Sequence, residues 1–364
     1  MKKSFRSLFL SVLTLSVLFA FTGCEEKKVN KGPASPTNLV STKRNVIYTY
    51  TLGDVMYPEQ YTHIIISFFK ADGNGNVFEK SFPHTADKII SFKQEHPGIK
   101  ILGALGGGVY SEFLTPCMLK KDARTNLANQ LAAFVKSRKL DGIDLDWEYY
   151  DDYVRCNAAY LDLAKQLRKK MPRKSLLTMA GQQASQFYRE ESIVEMMTEV
   201  LDFTSVMTYD MDYEQNTNNR IGYNGNFTKM RRIMEDYAKA CNGDKSKLNS
   251  GLPYYGRNYK IKDSQVHFIN EPCHVFAGTA NYTVVTKAIG EARGKNPDAY
   301  DDDDGVAISV KNHDLFVYDN ETTLSNKVKW SCEAGFGGVM EWVASDDNAS
   351  ATLQKAVCNA LNNY

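Results

Sequence analysis

The chain has 364 residues, 43% hydrophobic and 24% charged, with a formal net charge of +1, which is the make-up of a folded globular protein. No basic excess points to a nucleic-acid partner, and no acidic excess points to a disordered chain. The length admits one large α/β barrel or two smaller domains, and aromatic residues at 12% suit core packing as well as a sugar-stacking cleft.

The first predicted element is a leader. Lys2, Lys3 and Arg6 precede an apolar run from Leu8 to Phe21, a charged n-region and an h-region too short for a membrane span of about 20 apolar residues. The run closes on Phe21-Thr22-Gly23-Cys24, which resembles a bacterial lipobox, with Cys24 as the lipidated mature N-terminus. Glu25 and Glu26 resemble a surface-export signal of Bacteroidota lipoproteins. The expected location is therefore the outer membrane, facing the cell surface. Residues 1–23 read as signal peptide and 24–43, with Pro33, Ser35, Pro36 and Thr37, as a flexible tether. Cleavage removes three basic groups and no acidic one, which takes the charge from +1 to −2.

Residues 44–364 read as one catalytic unit. Strand-like runs lie at Asn45–Tyr50, His63–Phe69, Ile99–Leu105, Gly142–Glu148, Ser175–Ala180, Phe203–Tyr209, Leu248–Tyr254 and Phe336–Val343. Helical patterns separate them. Leu127, Leu131, Phe134 and Val135 share one face, with Asp122 as a candidate cap, and further helices run over about 157–170 and 227–240. Eight such units predict an α/β fold of the (β/α)8 TIM-barrel type, with a doubly wound sheet as the alternative. The stretch at about 258–324 breaks the alternation and is expected to be a small α+β insertion between the seventh and eighth barrel strands. Its Asp301–Asp304 run lacks calcium-loop spacing and reads as a solvated turn. Apart from Cys24 there are six cysteines, Cys117, Cys156, Cys241, Cys273, Cys332 and Cys358, none in a zinc-like spacing, so no metal site is expected. Their disulfide pairing is open, with Cys117 and Cys156 as candidate neighbours on one rim.

The chemistry concentrates in Asp141-Gly142-Ile143-Asp144-Leu145-Asp146-Trp147-Glu148. Side chains alternate along a strand, so Asp144, Asp146 and Glu148 share one face, roughly 7 Å apart. On an antiparallel sheet this would be a solvated amphipathic strand. In a parallel barrel the same face lines the confined interior. Carboxylates so close cannot all ionise cheaply, so a proton is shared and at least one pKa rises, as a general acid requires. Asp141 has the other parity and reads as structural.

That segment carries the D-x-x-D-x-D-x-E signature, and in this respect the chain resembles glycoside hydrolase family 18, the chitinase-like family. Ala104-Leu105-Gly106-Gly107, Met207-Thr208-Tyr209-Asp210, Gly251-Leu252-Pro253-Tyr254-Tyr255-Gly256-Arg257 and Gly338-Val339-Met340-Glu341-Trp342 resemble the family's motifs on the third, sixth, seventh and eighth strands. The resemblance covers about residues 44–362. It implies retaining, substrate-assisted hydrolysis, in which the sugar's 2-acetamido oxygen attacks C1 in place of an enzyme nucleophile. In that scheme Glu148 is the general acid and base, Asp146 orients the acetamido N–H, Asp144 tunes the charge, and Tyr209 holds the acetamido oxygen. Met207, Asp210, Tyr255, Arg257 and Trp342 are the implied substrate-binding residues, Trp342 by stacking on the sugar. Neither metal nor organic cofactor is implied, and the expected state is a monomer.

Ala104 stands where the family has serine, so one hydroxyl near the acids is missing. Three functions stay open at this point. The first is cleavage of β-1,4 bonds next to N-acetylglucosamine in chitin or its oligomers. The second is cleavage in the chitobiose core of N-glycans, and the third is glycan binding without catalysis. Gly103–Gly108 has neither G-x-G-x-x-G spacing nor a following Lys-Ser/Thr, which leaves a nucleotide site unsupported.

Overall fold

The structure, a computed structural model, describes residues 41–148, 152–263, 267, 269–290, 299–301 and 305–364. The leader, Cys24 and the tether up to residue 40 lie outside these residues, as do Asp302–Asp304 of the aspartate run.

Seven strands follow one another: β1 (Arg44–Thr49), β2 (His63–Phe69), β3 (Lys100–Gly106), β4 (Gly142–Asp146), β5 (Leu176–Gly181), β6 (Phe203–Val206) and β7 (Leu248–Pro253). Five more, β8 (Tyr255–Lys260), β9 (Val275–Asn281), β10 (Ala299–Asp301), β11 (Val306–Lys311) and β12 (Asp314–Tyr318), precede β13 (Gly338–Trp342). Strands β1 to β7 and β13 close into an all-parallel barrel in which β13 bridges β7 and β1. This is the eight-stranded α/β barrel that the alternation predicts, and the doubly wound alternative falls, because an open sheet would leave β1 and β13 as edges.

Helices cover the outside. They are α1 (Ala86–Glu95), α2 (Gly108–Met118), α3 (Lys121–Ser137), α4 (Tyr153–Lys170), α5 (Ser185–Tyr188), α6 (Glu191–Glu195), α7 (Tyr213–Thr217), α8 (Phe227–Ala240), α9 (Tyr282–Ile289), α10 (Glu321–Glu333) and α11 (Thr352–Leu361). The outward strand residues and the inner helix faces make one large apolar core, with Leu127, Leu131, Phe134 and Val135 of α3 in it. Asp122 does not cap α3. The N-cap position is Lys120 and makes no side-chain cap bond, while Asp122 lies within the first turn.

The barrel interior is a second, small cluster that includes Val46, Tyr48, Ile65, Leu102, Ala104, Phe203 and Met340. It plugs the barrel below the C-terminal rim, as layered side chains do in this architecture. Strands β8 to β12 form a separate antiparallel sheet, in the order β10-β11-β12-β8-β9. The disulfide pairing that the sequence leaves open gains no bridge at Cys117, the candidate neighbour of Cys156. Cys117 is a buried free thiol, and burial pushes it up to about 11.

Candidate active site

Strand β4 sets the site. Ile143, Leu145 and Trp147 point outward into the helical layer, where the Trp147 indole donates to Thr115 Oγ1 of α2 at 3.1 Å. Asp144, Asp146 and Glu148 take the opposite parity, and all three are buried, Glu148 being 6% exposed. The strand ends at Asp146, two residues sooner than its pattern suggests. From there the backbone is held by the turn between β3 and α2 and by the helix itself: Gly107 N–H donates to the Asp146 carbonyl at 2.7 Å, and Glu148 N–H donates to Ser111 Oγ of α2 at 2.9 Å.

This handover explains the adjacent glycines. Gly106 has φ +111, and a Cβ there would lie 2.1 Å from the Asp146 carbonyl oxygen. A side chain is excluded by contact as well as by conformation.

Asp144 accepts from the Tyr48 hydroxyl at 2.7 Å and from Thr178 Oγ1 at 2.5 Å. Burial pushes its carboxyl up to about 6, with the two hydroxyls pulling the other way. Ala104 lies beside Asp144 in the register of β3 and β4, so the family's missing hydroxyl coincides with an acid that two other strands already satisfy. Asp146 is raised well above the carboxylate range, first by burial, then by the neighbouring charges of Glu148 and Asp144, and by its hydrogen bond to Glu148. Its Oδ1 has no hydrogen-bond partner among the described residues. Burial and the neighbouring acids thus favour the protonated form of Asp146, which is hydrogen-bonded to Glu148. A buried acid pair with one proton can give that proton to a leaving group and take one back from water.

The remaining residues gather at the same end of the barrel. Met207, Tyr209 and Asp210 follow β6, which ends at Val206 and not at Tyr209, because Thr208 turns to donate its hydroxyl to the Gly251 carbonyl. The Tyr209 hydroxyl lies 3.8 Å from Met340 Sδ, and its ring meets Tyr255 edge-on. Asp210 sits at φ +58 with its side chain 45% exposed, hydrogen-bonded by Tyr255. Arg257 on β8 is 1% exposed and approaches Asp210 at 4.0 Å, and neither of its terminal nitrogens has a hydrogen-bond partner among the described residues. Trp342, at the end of β13, is partly exposed and is walled by Tyr48, Tyr50 and Phe68.

Four residues were not singled out from the sequence: Tyr48, Thr178, Ser111 and Asn224. Asn224 accepts from the Asp210 N–H at 2.9 Å and donates to the Tyr255 carbonyl at 2.8 Å, so it joins the loop after β6 to the start of β8. Strand parity places Tyr48 in the barrel interior, and that signal was available. Nothing in the sequence marks the other three.

Comparison with known proteins adds an independent finding. The family model for Glycosyl hydrolases family 18 matches residues 38–347. "Probable chitinase 2" of Drosophila melanogaster is 25% identical over 293 residues, covering 72% of this chain and 59% of that protein. An "Endochitinase" of Brugia malayi is 25% identical over 321 residues, covering 79% of this chain and 63% of its own length. The chain thus spans about three fifths of these relatives. Among solved structures, a Class V chitinase mutant from Nicotiana tobaccum in complex with NAG4 superimposes with a TM-score of 0.75 at 16% identity, covering 88% of this chain and 99% of that one.

Proposed function

The chain belongs to glycosyl hydrolase family 18, and on that premise we propose that it hydrolyses β-1,4 bonds next to N-acetylglucosamine in chitin or chito-oligosaccharides. The observation that carries this reading is the buried series Asp144, Asp146 and Glu148, with more oxygens than charges the site can hold. The names of the relatives, chitinases and endochitinases, support the substrate class.

In this reading Glu148 protonates the glycosidic oxygen with the proton it shares with Asp146. The 2-acetamido oxygen attacks C1 from below, so no second carboxylate nucleophile is needed. Tyr209 donates its hydroxyl to that oxygen, and Asp146 turns to the acetamido N–H. The negative charge of Asp144 favours the cation that develops on the new ring. Trp342 supports the sugar face, and the buried donors of Arg257 find sugar oxygens. Glu148 then removes a proton from water, which opens the intermediate with retention at C1.

The test is a product profile on defined N-acetylglucosamine oligomers beside one N-glycoprotein. The expected result is cleaved oligomers with retained anomeric configuration. Release of whole glycans without cleavage of the oligomers would move the substrate to the chitobiose core of N-glycans. In parallel, Glu148→Gln is expected to bind oligomers yet lose at least ~10³-fold in kcat, because the proton donor is gone. Near-wild-type turnover by that variant overturns the assignment.

A further inference from the structure

On the far side of β13 from the cleft lies a carboxyl that the reaction does not use. Glu341 points outward from the barrel, one residue before Trp342 and with the opposite parity, and it is fully buried. In register its neighbours are Ile47 on β1 and Leu252 on β7. A leucine here would continue the apolar layer at no cost in desolvation, whereas a carboxyl is expensive to bury.

Its Oε2 accepts from the Tyr61 hydroxyl at 2.8 Å and from the Tyr254 hydroxyl. Oε1 has no hydrogen-bond partner among the described residues. A buried polar atom left unpaired in this way calls for a reason other than stability. The hydrogen-bonding pattern supplies one. Tyr254, bound to Glu341 by its hydroxyl, also donates its backbone N–H to the Trp342 carbonyl at 2.7 Å. Tyr61 grips the same carboxyl from the connection between β1 and β2. The end of β13 is thereby tied to the β1–β2 connection and to the residue that directly follows β7, one position before the Trp342 ring.

We propose that Glu341 is a positioning residue for the sugar-binding face of Trp342, clamping the end of β13 through Tyr61 and Tyr254. The inference rests on the hydrolase reading above and adds a residue behind the cleft that sets how well sugar binds. The titratable groups facing Glu341 are Tyr61, Tyr254, Cys358 of α11 and Asp347 after β13, with Glu59 acting on Cys358. None of them is a cation. Burial raises Glu341 to about 8 against the opposing pull of the Tyr254 and Tyr61 hydroxyls, with a small further push from Asp347. The clamp is therefore neutral at pH 7, and above pH 8 it carries a buried anion that no positive group offsets.

Binding of triacetylchitotriose, followed by tryptophan fluorescence in a Glu148→Gln background so that nothing turns over, tests this. The parent is expected to lose affinity as pH rises through about 8. Glu341→Leu is expected to bind roughly tenfold more weakly at pH 6, with KM moved more than kcat in the active enzyme, because one alignment and no reacting group is lost. Glu341→Gln, which keeps a hydrogen-bonding group of the same shape without a charge, is expected to restore affinity at pH 6 and flatten the alkaline fall. Wild-type affinity in Glu341→Leu, or an alkaline fall that persists in Glu341→Gln, overturns the proposal and leaves the hydrolase reading standing. If Glu341→Leu does not fold, Tyr254→Phe carries the same expectation of weaker binding at pH 6. Absence of binding by the Glu148→Gln parent at pH 6 overturns both readings together.

Discussion

Asp144 shows how a single residue is tuned from several strands at once. Its two donors, Tyr48 and Thr178, come from β1 and β5, and both favour the ionised form against a strong burial penalty. Loss of one such donor raises the pKa of the acid it serves. In the proposed reaction the ionised form of Asp144 is the working one, and Thr178→Val keeps the shape and removes the hydroxyl, so the acidic limb of the kcat profile is expected to move up by roughly one pH unit. A pH–kcat series on oligomers reads it, and an unmoved limb would separate Asp144 from the rate. Tyr48 is the less clean target because its ring also packs on Trp342. The acids themselves were legible in the sequence, because a period of two is a property of one strand. Of their donors, parity could place Tyr48 in the barrel interior, but the bonds of Tyr48 and Thr178 to Asp144 were not legible, since which residue stands beside which aspartate depends on the register between strands.

At the scale of the element, α2 acts as an extension of β4. The strand stops at Asp146, and the next backbone donor, Glu148 N–H, is taken by Ser111 from the second turn of the helix. Ser111 in turn donates to the Gly107 carbonyl at 3.0 Å, so one hydroxyl ties the glycine turn to Glu148. Ser111→Ala leaves that N–H without its acceptor in a buried place, at about 1–2 kcal/mol. The expected outcome is a modest drop in the urea midpoint together with roughly a tenfold fall in kcat, as Glu148 loses its fixed position while the sugar contacts stay. Full kcat in a destabilised Ser111→Ala protein would show that the bond serves folding alone. The sequence marked the glycines and the acids separately, as two motifs about 35 residues apart. It held no sign that they meet, because the contact runs through backbone atoms and one unremarkable serine. The same limit explains the strand ends: alternation runs on through Glu148 and Tyr209, while the hydrogen bonds that would make them strand pass to helix and loop.

For the whole molecule, the barrel was legible because eight apolar runs separated by helical patterns leave few other ways to bury them. The way the second sheet is fastened was not. Its last strand, β12, leads to Asp319, which is fully buried and receives Lys327 of α10 at 2.5 Å. Lys327 also donates to the Gly225 carbonyl in the segment between α7 and α8, and Thr323 Oγ1 donates to Asp319 at 2.7 Å. One ammonium thus joins three parts of the chain, 225, 319 and 327, around α10 and the segment that precedes α8. Burial outweighs attraction for both partners, raising Asp319 and lowering Lys327, so the pair adds little net stability while fixing where these parts sit. The two kinds of contribution can be told apart. Lys327→Met alone leaves a buried, uncompensated carboxyl and is expected to cost about 3–5 kcal/mol in urea unfolding. Lys327→Met with Asp319→Leu removes both charges and is expected to recover most of that loss, since each partner's penalty disappears with its charge. If the double variant regains stability but not oligomer cleavage, the pair serves to place the second sheet and the Asp210 loop against the barrel. If it regains both, the pair is a replaceable piece of packing.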